Sequence, residues 1–124
     1  MRATIRMLTI AVLAALPAGM GCMDMSDMPN PPSNLTAMEL TGGAHLTWKD
    51  NSDNEASFMI ERKDGGGAFA ELITVPFDTT AHHDAGPLTV GTTYLYRVMA
   101  MPKSGEHSAD LKYSNEGTLM FTGK

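Results

Sequence analysis

The sequence predicts an all-β domain built from two facing antiparallel sheets. Three observations predict it. After Leu35, apolar and polar side chains alternate at period two in several short runs, the pattern of strands with one buried face. Clusters rich in Gly, Asp, Asn and Pro interrupt those runs every ten to twenty residues or so, about the spacing of a chain that repeatedly turns back. No stretch after residue 34 sustains a 3.6-residue period with capping residues at its ends.

The elements follow in order. Strands are predicted at residues 35–40, 44–49, 57–63, 68–75, 80–84, 92–101 and 112–121. In the second, Leu46 and Trp48 share a face and Thr47 takes the other. In the third, Phe58 and Ile60 oppose Met59 and Glu61. In the sixth, Tyr94, Tyr96, Val98 and Ala100 oppose Leu95, Arg97 and Met99. Between strands lie Thr41-Gly42-Gly43, Asp50-Asn51-Ser52-Asp53-Asn54, Asp64-Gly65-Gly66-Gly67, Asp84-Ala85-Gly86-Pro87 and Lys103-Ser104-Gly105. Asp64-Gly65 suits a hairpin turn that needs positive φ. Seven short strands suit an immunoglobulin-like sandwich, in which inward residues of one sheet meet those of the other. The expected core is Leu35, Leu46, Trp48, Phe58, Ile60, Leu72, Leu88, Tyr94, Tyr96 and Val98.

The first twenty-two residues have a different chemistry. Arg2 and Arg6 precede an apolar run from Met7 to Leu16, and a small, turn-prone segment ends at Cys22. Positive head, short apolar core and small-residue cleavage zone are the parts of an export signal. The apolar run is about ten residues, half of what a spanning helix needs. Gly19-Met20-Gly21-Cys22 resembles the lipobox of bacterial lipoproteins. That resemblance implies cleavage after Gly21, a diacylglycerol on the Cys22 thiol and acylation of the new amine. Residues 1–21 are then a lipoprotein signal peptide. Residues 22–33 are the lipidated Cys and a Met/Pro-rich tether, and 34–122 are the domain. With Met23, not Asp, after the cysteine, the enteric sorting rule implies the outer membrane.

The chain has 124 residues, room for one domain beside the leader, with 43% apolar and 19% charged residues, a folded composition. Its charge of −5 opposes binding to phosphate backbones, so nucleic acid is not an expected partner. Cleavage would remove two of nine basic residues and no acid, leaving seven against 14 and a charge of −7. Such a domain stands off an anionic membrane surface. One cysteine closes no internal disulfide.

Pro32-Ser33-Asn34-Leu35-Thr36, Leu46-Thr47-Trp48-Lys49-Asp50-Asn51-Ser52-Asp53-Asn54-Glu55, Phe58-Met59-Ile60-Glu61-Arg62 and Leu88-Thr89-Val90-Gly91-Thr92-Thr93-Tyr94-Leu95-Tyr96-Arg97-Val98 together resemble a fibronectin type III domain, in its bacterial form. The resemblance spans about residues 32 to 121. It implies that Trp48 is the core tryptophan of the second strand. It also implies that Tyr94 is a tyrosine-corner residue, its hydroxyl bonding back to backbone near Leu88.

Candidate chemistry is sparse. His82 and His83 are adjacent, so on a strand they face opposite sides and cannot share a metal, while His45 and His107 are isolated in the sequence. Asp50 to Glu55 is the only acidic cluster, yet a calcium loop would need glycine where Glu55 stands and would close at Glu61 on a strand. It reads as a turn. Asn34-Leu35-Thr36 matches a glycosylation sequon by chance, beside an inward Leu35. No catalytic serine motif or phosphate loop occurs. The expectation is therefore no catalytic residue, no cofactor and no metal site, and a non-enzymatic envelope protein whose domain binds an unidentified protein or carbohydrate or acts as a spacer. The long, polar loop 102–110 could carry recognition, or serve only as a solvated connector. The alternative is a small copper lipoprotein using the soft thioethers of Met23, Met25 and Met28.

Overall fold

The computed structural model describes residues 28–104 and 111–124. Alternation makes the strands, and seven appear in chain order: β1 (Ser33–Leu40), β2 (Gly43–Lys49), β3 (Glu55–Asp64), β4 (Ala70–Pro76), β5 (Ala81–Asp84), β6 (Thr93–Pro102) and β7 (Gly117–Met120). They form two antiparallel sheets, β1-β2-β5 and β4-β3-β6-β7. Among the described residues no helix is long and apolar enough to cross a membrane.

The inner faces are those the alternation assigns. Leu35, Ala44, Leu46 and Trp48 of one sheet pack on Phe58, Ile60, Val75, Tyr94, Tyr96, Val98 and Ala100 of the other. Leu72 and Leu88, also expected inside, lie at its half-buried margin with Leu119 and Phe121. Trp48 and Phe58 meet edge to face, ring centroids 5.8 Å apart. Burying such side chains contributes about 25 cal/mol per Å² of apolar surface.

Outside this core, the four-stranded sheet carries a second apolar cluster on its outer face. Met59, Met99 and Leu111 are buried there, and Met28, Met101 and Tyr113 pack around them. Beside it, the Arg97 guanidinium lies 3.6 Å from the Tyr113 ring centroid and 4.0 Å from that of Phe69. Glu61 holds it through Nε at 2.7 Å and Nη2 at 2.6 Å.

Three details depart from the sequence expectation. The last strand is shorter than 112–121: Tyr113 makes only an isolated bridge to Met99, and pairing resumes at Gly117. Between them Ser114 interrupts the ladder. Its N–H donates to the Val98 carbonyl, and its hydroxyl accepts from the Val98 N–H. The Asp64-Gly65 turn has no positive φ. Among the described residues, positive φ falls instead at Gly42, Gly86, Gly91 and Gly123, and at Asn34 and Asp78. A five-residue loop joins β3 to β4, with Gly67 N–H donating to the Asp64 carbonyl, so the tight hairpin geometry is not needed. Finally, the chain is already docked at Met28. Asn30 Nδ2 donates to the Asn51 carbonyl, and Asn51 Nδ2 donates to the Pro31 carbonyl and Ser33 Oγ.

Two polar devices join the sheets where no disulfide does. Asp84 of β5 crosses to the other sheet, accepting from Arg62 Nη1 of β3 and the Tyr96 hydroxyl of β6, each at 2.8 Å. Asn115 imitates a peptide group toward β1: its Oδ1 accepts from Leu35 N–H at 2.9 Å and its Nδ2 donates to the Leu35 carbonyl at 3.0 Å.

Candidate functional site

The β-sheet topology gathers the conspicuous polar residues at one pole of the sandwich, where the chain enters. The loop between β2 and β3 (residues 50–54), the β4–β5 connection (77–80) and the start of the loop after β6 all meet there. Met28, Asn30 and the segment from Lys49 to Asn54 line an open, polar depression of about 720 Å³.

Beneath it sits the acidic cluster. Asp50 Oδ1 accepts from Ser52 N–H at 3.1 Å, and the buried Glu55 accepts from Ser52 Oγ at 3.1 Å and from Asp78 N–H at 3.2 Å. Carboxylate oxygens of Asp50, Glu55 and Asp78 all lie within 4.8 Å of one another. Burial raises the Asp50 carboxyl above its ordinary value, and the neighbouring Glu55 and Asp78 charges push the same way. Burial would raise Glu55 as well, but hydrogen bonds from backbone, Asp50 and Ser52 outweigh it and hold that carboxyl low. These carboxylates fasten two loops together, which supports the turn reading. Glu61, the would-be closing ligand of a calcium loop, lies on β3 and binds Arg97 of the neighbouring β6. Asp78 was beyond the reach of sequence reasoning, because it is distant in the chain and arrives through strand pairing.

The other sequence candidates are placed as follows. Tyr94 forms the expected corner, its hydroxyl accepting from Thr89 N–H at 2.7 Å. Asn34 is exposed with φ +56°, beside the buried Leu35. Met28 packs in the outer apolar cluster. Cys22, Met23, Met25, His107 and most of the loop 102–110 lie outside the described residues. His82 faces inward and His83 outward, as adjacency requires. Burial lowers the His82 imidazole; Asp84 opposes that, and His83 and His45 add to it. The expectation that His45 is isolated is corrected: it stands directly opposite His83 across β2 and β5. Adjacency in sequence could not show this, since the pairing depends on which strands become neighbours.

Solved structures match this arrangement. A fibronectin type III-like protein from Clostridium thermocellum is 28% identical, with TM-score 0.59 over 75% of this chain and 93% of that one. The fibronectin type III domain of human collagen XX is 22% identical, with TM-score 0.56 over 86% of this chain and 98% of that one. A multidomain titin fragment is 21% identical, with TM-score 0.62 over 77% of this chain. This chain spans 33% of the titin fragment, the share of one module among several. The fold is the fibronectin type III sandwich. No protein-family model matches the sequence.

Proposed function

We propose that this chain is a non-enzymatic, lipid-anchored protein of the bacterial cell envelope. It presents one fibronectin type III-like sandwich as a binding or spacer module, with a protein or carbohydrate partner. The observation that carries the module reading is that the eye-catching polar side chains serve the sandwich itself. Asp84, Arg62 and Tyr96 join sheets, while Asp50, Glu55 and Ser52 secure loops. Two neighbours matched over nearly the whole of their own chains are fibronectin type III-like modules.

The anchor is the diacylglyceryl thioether on Cys22, in the outer membrane, following the lipobox-like Gly19-Met20-Gly21-Cys22. Each buried methylene contributes about 0.8 kcal/mol, so three acyl chains hold effectively permanently where one would not. Five residues, 23–27, separate Cys22 from the docked Met28, a reach of roughly 20 Å at about 3.3 Å per residue. The pole with the polar depression therefore stays near the lipid. The opposite pole, with exposed Leu40 and Val90, projects outward, and the charge of −7 keeps the domain from lying on an anionic surface.

Incorporation of labelled palmitate into the wild type and Cys22→Ser tests the anchor. Label in the wild type alone is the expected result, and label retained in the serine variant refutes the site. Photocrosslinking from position 40 in intact envelopes then tests binding: a reproducible protein or glycan adduct is expected for a binding module, and its absence leaves the spacer role.

A further inference from the structure

His45 and His83 occupy directly paired positions on β2 and β5, on the outer face of the three-stranded sheet. Directly opposed residues of an antiparallel pair hold their Cβ atoms about 5 Å apart. The two ring centroids are 6.4 Å apart, with planes inclined by 37°. A metal–imidazole nitrogen distance of about 2 Å puts a ligating ring's centroid roughly 3 Å from the ion, so two rings on one ion stand up to roughly 6 Å apart. The pair stands just beyond that limit. His83 is exposed on an edge strand, so a modest rotation of its ring closes the gap.

We propose that His45 and His83 form a two-imidazole binding site for a divalent first-row transition ion, with Cu(II) bound most tightly. Two nitrogen donors with no carboxylate between them suit copper, nickel or zinc, not magnesium or calcium. The acids in the strands of this sheet, Glu39 of β1 and Asp84 of β5, are committed elsewhere: Glu39 to Thr122 and Lys124, Asp84 to Arg62 and Tyr96. The strand pairing fixes only two ligands, leaving the remaining positions to water. The site therefore imposes no tetrahedral cage, and the Irving–Williams order sets the preference, copper first. The next residue in the row is Met38, which is paired with His45 on β1 and 61% exposed. Its thioether is a soft donor, suited to the ion once reduced to Cu(I) rather than to Cu(II). This site is separate from the tether methionines and does not depend on the lipid anchor.

The test is calorimetric titration of CuCl₂ into the full chain, with electron paramagnetic resonance of the one-to-one sample. Every sample carries Cys22→Ser so that no thiol competes. The expected result is a single site with coupling to two imidazole nitrogens, and affinities in the order Cu(II), Ni(II), Zn(II). His45→Asn and His83→Asn should each weaken Cu(II) at least tenfold and leave coupling to one nitrogen. His82→Asn, on the inner side of β5, and His107→Asn should leave affinity and spectrum unchanged. Circular dichroism confirms that each variant is folded. Undiminished affinity in His45→Asn or His83→Asn, loss of the site in His82→Asn or His107→Asn, or no binding tighter than millimolar in the parent would each overturn the assignment.

Discussion

Replacing Arg62 by Met removes the cation that faces the buried Asp84 carboxylate and leaves an aliphatic stem near Tyr94. Asp84 is 3% exposed in its side chain, and Arg62 is 23% exposed. After the substitution Asp84 retains two neutral donors, the Tyr96 hydroxyl at 2.8 Å and Gly86 N–H at 3.0 Å. Breaking a buried ion pair from one side costs about 3–5 kcal/mol, and the partial exposure of Arg62 puts this case near about 3. In a domain of this size each kcal/mol moves the melting midpoint by about 4–8 °C, so the midpoint at pH 7 should fall by roughly 12–24 °C.

The pH dependence separates this account from simple loss of packing. Burial on its own would raise the Asp84 carboxyl; the bonds from Arg62, Tyr96 and Gly86 outweigh it and hold the group below the usual carboxylate range. A depressed carboxyl stabilises the fold above its unfolded pKa, about 3.9, and that contribution is lost as pH falls through the lower folded value. Without Arg62, burial dominates and the carboxyl titrates high. Stability in Arg62→Met is then recovered on acidification, because protonated Asp84 needs no cation. The gap between wild type and variant, read from urea unfolding at pH 7, 5 and 3.5, should narrow steadily. A gap that stays constant across that range would refute the charge argument, and a midpoint shift under 3 °C or so at pH 7 would refute the magnitude.

Further outcomes follow from single contacts. Trp48 is 5% exposed, yet its Nε1 has no acceptor among the described residues, and a buried unmade hydrogen bond costs about 1–3 kcal/mol. Trp48→Phe should therefore lose far less in urea unfolding than Trp48→Ala, which should cost about 3–5 kcal/mol; equal losses would place the indole N–H on an acceptor. Asn115→Ala should destabilise by about 2 kcal/mol through its two bonds to Leu35, and should speed hydrogen exchange at the Leu35 amide, while unchanged exchange there would show that the side chain does not pair with β1. Gly43→Ala should destabilise because a Cβ there collides with the Asp84 carbonyl, whereas Gly66→Ala, with nothing within 4 Å, should be nearly neutral in the same thermal melts.

Much of the fold was readable in the order of residues because strand formation is local. A period-two pattern states which side chains share a face, and Leu46 with Trp48, Phe58 with Ile60, and Tyr94 with Tyr96 and Val98 all went inward as that pattern requires. The corner at Tyr94 was readable for the same reason: its partner, Thr89, is five residues away along the chain. The second apolar cluster was less visible. Met59 and Met99 sit on the face that alternation assigns to solvent, and they are covered by Leu111 and Met28 from distant parts of the chain.

Alternation in one strand carries no information about which residue of which other strand stands opposite. Strand order and register are properties of pairs, set when β5 joins β2 and β3 lies between β4 and β6. Those pairings bring His83 to His45 and Asp78 to Glu55, and the stacking of one sheet on the other brings Asp84 to Arg62 and Asn115 to Leu35. Local chemistry therefore dictates the strands, their faces and their turns. The polar constellations that join sheets, fasten loops and offer a metal two nitrogens exist only once distant segments are packed, because each is assembled from residues that the chain itself keeps far apart.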